Sequence, residues 1–490
     1  MMIAYAFPPE GHAGVYRPLR FVRHLPAMGW LPLVITGDPG RYGYIRHDPN
    51  LGTLVPPSTD VIRVRERDPW QLIQAWRARR IHRKSLSAFA AKEAPLGQNN
   101  HTAIRSFIRQ AVNTAEAWCY HPDTAMGWIR PAVKTALKLS CRQKPDVVWA
   151  TAGPVSSFIV ARRFSMQTGV PYVLDFRDAW TIIPTEFDRR RPKWARNLDR
   201  RFMFRLLNGA QGVVFRYRTE AECFWQAYPG AMNASRIHLI PNGYEGSIDN
   251  FAPPRERKCK ILYTGTLSDY RYDTLLHALC LLKQSSRHLA NQLHLYFVGE
   301  GTEALAHETA RLELSDMITA RGPVSYEEVS KLSRQSHALL ILGRPSTTTG
   351  FELFAGAKLF GYLKAGMPII GVLPNDETKK ILLRVGVTTV ADVDSPLEIV
   401  SVLHRVLDAW MRGELSVLLP NPSECEAYSA ERQTRSLVRA LEGRPALEPF
   451  VPGSAQIPPS LRCVIGNRAR KFGQRTSLGA GQEPMTGSPA

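Results

Sequence analysis

The sequence predicts an α/β protein of two successive doubly wound domains, and three stretches carry that prediction. The chain opens as strand, glycine-bearing loop, helix and strand, over Met2–Phe7, Pro8–Gly14, Val15–Met28 and Leu31–Thr36, which is how a βαβ unit begins. The same alternation restarts at Lys260, just after Pro253-Pro254. Late in the chain, Gly350 to Gly371 reads as a loop, a helix and a buried strand. There Lys358, Leu359, Tyr362 and Leu363 share one helical face, Gly366 and Pro368 stop the helix, and Ile369-Ile370 open an apolar run.

The chain of 490 residues is too long for one ordinary core, so more than one domain is expected. The alternation places a first domain at 1–247 with a basic insertion at 60–145, a linker at 248–258, a second domain at 259–423 and a helix within 424–443. The tail 444–490 is rich in Pro, Gly and Ser and is expected to be disordered. No apolar run reaches the length of a membrane-crossing helix. Met1–Phe7 reads as a strand, so no signal peptide is expected. The seven cysteines stand singly at 119, 141, 223, 259, 280, 425 and 463. Without a C-x-x-C pair no zinc site is expected, and the odd count suggests reduced thiols in the cytoplasm.

The formal net charge of +20 is concentrated. Residues 60–145 hold 16 Lys/Arg against 6 Asp/Glu, residues 189–205 hold 8 against 1, and residues 444–490 hold 6 against 2. These excesses account for the whole imbalance. Clustered positive charge suits a polyanion, an anionic membrane or a phosphorylated substrate, against the plainer reading of a solvated basic surface. No RNA- or DNA-binding motif accompanies the basic stretches, so nucleic acid is not expected as a partner.

In chain order, the glycines Gly11 and Gly14 flank His12 in the first loop, where backbone amides can approach a bound group; a plain tight turn reads as well. Trp70, Ile73, Trp76, Ile81, Leu86 and Phe89 lie among Arg77, Arg79, Arg80, Arg83 and Lys84. That pattern suits a helix on an anionic membrane surface or an ordinary core helix with an arginine face. Val170–Trp180 is a strand and its carboxyl-end loop, where ligands of open α/β sheets sit, so Asp175, Arg177 and Asp178 are site candidates; a structural ion-pair corner is the alternative. Arg189–Leu207 is a basic amphipathic helix, and Thr219 with Glu222 has capping-box spacing. The second half then runs strand and loop at 260–266, a helix at 273–284, strands at 293–298, 318–321 and 338–342, and a helix after Gly322–Glu328. Beyond Gly371 come a strand at 388–390, a helix at 396–410 and a terminal helix at 428–441.

A lysine in a helix entered from a loop suits phosphate groups, because the first amides are unpaired and the dipole favours negative charge. "AKLFGYLKAGMPIIG" at 357–371 resembles the donor-nucleotide helix of the GT-B glycosyltransferases, family 4 in particular, whose pattern is Lys-x-x-Glu-Tyr-Leu-x-x-Gly-x-Pro-Ile. The resemblance extends to residues 7–36, to "PDVVWATAGPVSSFIVARRFSMQTGVPYVLDFRDAWT" at 145–181 and to "IPNGY" at 240–244, and it covers residues 1 to about 442. It implies two Rossmann-like halves facing a cleft, the donor nucleotide on the second, the acceptor on the first, and a terminal helix that crosses back.

The resemblance further implies a retaining transfer of a sugar from a nucleoside-diphosphate donor to a glycan or lipid-linked acceptor, with no metal and no cofactor. It suggests cell-surface polysaccharide assembly at the inner face of a membrane. Lys358 matches its motif as a cation for the leaving diphosphate. The family's arginine position falls on Thr266 and its second lysine position near Tyr272, leaving Arg271 as the substitute. Arg177 and Asp178 would serve the sugar and acceptor side. Gly11, His12, Gly14, Asp175, Thr266, Glu300, Val324, Glu352, Gly361 and Tyr362 are the implied substrate-binding set. Two departures stand out. The ribose-binding glutamate falls on Gly361, and a second glutamate falls on Leu353, one place from Glu352. They keep open a non-catalytic nucleotide-sugar-binding or scaffold protein of the same fold; a GT-B epimerase matches less well.

Overall fold

The computed structural model of the chain describes residues 1–11, 13–38, 48–66, 121–183, 192–268, 270–345, 350–462 and 465–466. The chain divides into two compact units, one of residues 1–240 with 434–457 and 462–490, the other of 241–433 with 458–461.

The first unit holds a parallel sheet of β1 (Met2–Ile3), β2 (Leu33–Gly37), β3 (Asp60–Val64), β4 (Val148–Thr151), β5 (Tyr172–Asp175), β6 (Gly212–Phe215) and β7 (Ile237–Leu239), in the order β3-β2-β1-β4-β5-β6-β7. The second holds β8 (Cys259–Thr264), β9 (Leu293–Val298), β10 (Ile318–Arg321), β11 (Ala338–Leu342), β12 (Ile369–Leu373) and β13 (Val390–Asp392), in the order β10-β9-β8-β11-β12-β13. Strands buried on both faces read as near-continuous apolar runs, as in Ala338–Leu342, because helices cover both sides of a parallel sheet. Each order reverses once, between β1 and β4 and between β8 and β11. A crevice opens outside the carboxyl ends of the strands at such a switch point.

In the first core Phe21 meets Trp149 edge-on, with centroids 5.6 Å apart, and Phe7, Val173, Val214 and Ile240 pack around them. The helix Ala430–Leu441 brings Leu437, Ala440 and Leu441 into this same core. In the second core Ile261, Leu295, Phe297 and Leu340 pack with Leu279 and Leu403, from the helices Asp273–Ser285 and Pro396–Met411.

Several local expectations shift. The first strand is only Met2–Ile3, and the first helix runs Tyr16–His24 with short 3-10 turns on either side, since Pro26 ends its ladder. The last strand is Val390–Asp392 rather than 388–390. Thr219 is no cap: the helix Arg218–Ala227 starts one residue earlier, and Glu222 is buried and accepts from the Gly453 amide at 2.8 Å. Within the stretch expected to be disordered, Phe450 is buried against Trp225, and Arg218 donates to Ser454 at 3.0 Å. Apolar side chains at Phe450, Ile457 and Leu461 give that stretch burial its composition hides. The expected helix with Trp70 and Trp76 lies outside the described residues, as does His12. Among the described residues no helix is long and apolar enough to cross a membrane.

Candidate active site

In the second unit the helix Ala357–Ala365 is entered from Gly356 and closed by Gly366 in the left-handed region, φ 60°. Leu359 and Leu363 are fully buried, which fixes the face on which Lys358 and Tyr362 lie. Tyr362 is buried as well; its hydroxyl accepts from the Thr264 amide at 3.2 Å and pairs with the Thr264 hydroxyl at 3.1 Å. The helix is thereby tied to the carboxyl end of β8, beside the switch point.

Lys358 stands over that end. Its ammonium donates to the Tyr263 hydroxyl at 2.7 Å and lies 4.0 Å from the Tyr263 ring centroid and 4.8 Å from that of Tyr270. Tyr263 in turn donates to the Thr266 carbonyl at 2.7 Å. Gly265 makes room for the lysine: its φ is 104°, and a Cβ there would come within 2.5 Å of Lys358 Cε. Burial holds the lysine well below its ordinary value, at about 8. A cation so desolvated and so held gains on meeting an anion, since the penalty of burial is already met.

The remaining residues expected in this unit divide. Thr266 presents its carbonyl to Tyr263 and is exposed. Glu300 is exposed beyond β9, and its carbonyl accepts from the Leu267 amide at 2.9 Å, joining the two glycine-bearing loops. Val324 is half-buried just before Ser325, which caps the helix Tyr326–Arg334. Gly361 is exposed, and a Cβ built on it meets nothing within 4 Å. Leu353, at the second family position, is fully buried. Glu352 accepts from the Gly350 amide at 2.6 Å and from the Ser460 hydroxyl at 2.8 Å. Arg271 is committed to two carboxylates, Asp394 at 2.6 Å and Asp273 at 3.1 Å, so its charge is already met.

The first unit gathers Gly14, Asp175, Arg177 and Asp178 at the carboxyl ends of its strands, with Gly11 in the loop after β1. Asp175 is fully buried; Arg17 donates to it from Nε at 2.9 Å and from Nη2 at 2.7 Å, and Thr151 adds a bond at 2.9 Å. It therefore holds the loop rather than facing solvent. Arg177 donates to the carbonyls of Ala152 at 2.5 Å, Gly153 at 2.8 Å and Gly14. These bonds lock the first glycine loop to the loop after β4. Gly153, φ 91°, has no room for a side chain, because a Cβ would come within 2.6 Å of the Arg177 guanidinium. Burial lowers the proton affinity of Arg177, and Asp178 opposes that shift. Asp178 is exposed and also acts on the buried pair Arg216–Glu220. Of this set it is the charged group open to a ligand.

Sequence reading missed Tyr263, Tyr270 and Arg344. Tyr263 looks like one more apolar residue of the Cys259, Ile261, Tyr263 alternation, and nothing in the pattern marks its hydroxyl. Arg344 stands two residues past β11, a position that the strand-end rule could have flagged.

Two such units, each with glycine-bearing loops and cations at a switch point, match known proteins. The profile of Glycosyltransferase Family 4 matches residues 94–245. The chain is similar in structure to the lipopolysaccharide outer core galactosyltransferase WaaB in its apo form, with 13% identity, TM-score 0.51 and coverage of 90% of this chain and 99% of that one. The fold is that of a GT-B glycosyltransferase. A second similar structure is a point mutant of S. aureus TarM in complex with Fondaparinux, alpha-GlcNAc-glycerol and UDP, at 10% identity, TM-score 0.50 and coverage of 90% and 99%. A third is the N-terminal domain of Candida albicans trehalose-6-phosphate phosphatase, at 11% identity, TM-score 0.51 and coverage of 87% and 92%. No curated protein matches the chain. The GT-B chain thus carries its family-4 match almost wholly within the first unit.

Proposed function

We propose that the protein transfers a sugar, with retention of anomeric configuration and without a metal, from a nucleoside-diphosphate donor to a glycan or lipid-linked acceptor. The observation that carries this reading is Lys358, held by Tyr263 and Tyr270 at the switch point of the second sheet. A leaving diphosphate gains negative charge as the glycosidic bond breaks, and a fixed cation in a partly desolvated site lowers that barrier electrostatically. The second unit would hold the nucleotide. The first would present Asp178, with the loop fixed by Arg177, to the sugar and acceptor.

The clustered basic charge supports a phosphorylated or membrane-borne acceptor, and the setting proposed is cell-surface polysaccharide assembly at the inner face of a membrane. On the described surface Arg201 and Arg205 are exposed along the helix Lys193–Asn208, and residues 60–145 add 16 Lys/Arg against 6 Asp/Glu in the sequence. Sedimentation with anionic against neutral vesicles, at low and high salt, tests this setting; equal recovery removes it.

Gly361 favours one second reading, a GT-B protein that binds a nucleotide sugar without turning it over, since no carboxylate stands at that helix position. A thermal-shift screen of nucleotide sugars followed by a turnover assay decides. Stabilisation by one donor with release of its diphosphate supports the transferase, stabilisation without release supports the binding protein, and no stabilisation by any donor removes both.

A further inference from the structure

We infer that one helical layer of the first unit is the surface by which the protein meets an anionic lipid membrane; this rests on the membrane setting proposed above and not on the donor site. The layer consists of the helices Met126–Ser140, Ser156–Thr168 and Lys193–Asn208, which pack side by side in that order. Topology puts them together. The chain passes from β3 to β4, from β4 to β5 and from β5 to β6 in one direction along the sheet, and right-handed crossovers then place all three connections on the same face.

Charge on this layer is one-sided. The three helices carry ten Lys/Arg and a single acidic residue, Asp199. Asp199 is buried, with His121 2.8 Å away, so it adds no negative charge to the outer face. Arg130, Lys134 and Lys138 follow one another at four-residue spacing, which stacks them on one side of their helix, and all three are exposed. Arg163 is exposed on the second helix, and Arg201 and Arg205 on the third. Among the described residues none of these six pairs with a carboxylate. Like charges on neighbouring helices repel one another, and a surface of anionic headgroups relieves that repulsion.

Two further features select a lipid surface over a polyanion in solution. Large apolar side chains stand exposed on the same helical faces as the arginines. Met166, 69% exposed, lies one turn beyond Arg162 and Arg163, and Leu198, 43% exposed, lies one and two turns before Arg201 and Arg205. Basic residues interleaved with exposed apolar ones suit an interface that offers phosphate and acyl chain together. Between the second and third helices a cavity of about 250 Å³ is lined in part by Arg162, Met166, Tyr172, Phe204 and Arg205, two cations against an apolar wall. Its wall is fixed, because the Tyr172 hydroxyl donates to the Leu206 carbonyl at 2.8 Å.

Partition of the full chain onto phosphatidylcholine vesicles, with and without phosphatidylglycerol and at low and high salt, tests this. The variants are Lys134→Gln with Lys138→Gln, Arg201→Gln with Arg205→Gln, and all four together. Arg255→Gln with Arg257→Gln, at two exposed positions of the second unit, is the control of equal charge. Thermal unfolding of each variant checks the fold. A basic residue near an anionic surface is equivalent to about fivefold in partition. Each layer pair should therefore weaken binding to the phosphatidylglycerol vesicles by about tenfold or more, the four together by about a hundredfold or more, and the control pair by far less. High salt should erase these differences. A single-stranded oligonucleotide is the competing arm. The inference is overturned if the wild type binds the anionic vesicles and the layer variants bind equally well, which leaves the membrane setting to another part of the chain. It is overturned if the control pair costs as much, which makes net charge alone the cause, or if the oligonucleotide binds through these residues and the vesicles do not, which makes nucleic acid the partner. If phosphatidylglycerol gives the wild type no gain in binding, the membrane setting falls as well.

Discussion

The ammonium of Lys358 and the hydroxyl of Tyr263 lie 2.7 Å apart, on a helix and a strand separated by 95 positions. The bond positions the lysine without neutralising it, because the tyrosine hydroxyl accepts from the ammonium and donates its own proton to the Thr266 carbonyl. A carboxylate in that place would have stabilised the lysine and removed its charge from any ligand. The slot of Tyr263, Tyr270 and Gly265 therefore holds a cation with no carboxylate among its described partners.

A pH dependence follows. Burial brings Lys358 to about 8, so below that pH the ammonium is charged and above it the charge is lost. A diphosphate binds the charged form. Above pH 7, where the terminal phosphate is already fully ionised, its affinity should fall as pH rises through about 8, approaching tenfold per unit. Among the described residues the groups facing the ammonium are Tyr263 and Tyr270, and Arg344 also lies against the second ring. Lys358→Met should bind more weakly and lose the fall near pH 8. Calorimetric titrations of one nucleoside diphosphate from pH 6 to 9 check this, and the same slope in wild type and variant would assign the titration to another group.

The buried pair of Arg17 and Asp175 should matter through stability. Arg17→Met leaves a fully buried carboxylate without its ion-pair partner, at a cost of about 3–5 kcal/mol. Adding Asp175→Leu should recover much of the loss, because two charges are removed together. Urea unfolding of the wild type, the single and the double variant measures both effects. A single variant as stable as the wild type would show that Asp175 is solvated or otherwise held.

How much of this was legible in the sequence depends on what each residue does. The alternation of strands and helices was plain because buried parallel strands are apolar runs and glycines punctuate them, as at Gly366 before Ile369. The edge strand Asp60–Val64 escaped because its burial is uneven and its neighbours are charged. Lys358 was legible because its helix has a marked start and stop. Arg271 looked as good from spacing alone. Only its bonds to Asp394, 123 positions away, and to Asp273 show that its charge is spent. Long-range pairing of this kind, like that of Arg17 with Asp175, leaves no periodic trace.

Gly361 offers a gain-of-function test. Its exposed helical position has open space for a side chain, and glycine in a helix interior costs roughly 0.5–1 kcal/mol relative to a good helix former. Gly361→Glu should raise the melting temperature slightly. It should also tighten donor binding by roughly ten- to hundredfold if the carboxylate meets the ribose hydroxyls, as a charge-assisted bond of about 1.5–3 kcal/mol implies. Calorimetry of wild type against variant reads the change. An unchanged affinity would point to Glu352 as the existing ribose partner, and Glu352→Ala should then lose binding.

Turnover of a Lys358→Ala variant reads whether Lys358 stabilises the leaving diphosphate of a sugar donor, as proposed. With the donor found by screening, the rate of diphosphate release is measured for wild type and Lys358→Ala, alongside their thermal unfolding. Turnover should fall by about a hundredfold or more, as for removal of one preorganised electrostatic donor, with little change in melting temperature. Turnover equal to wild type in the folded variant would contradict that role.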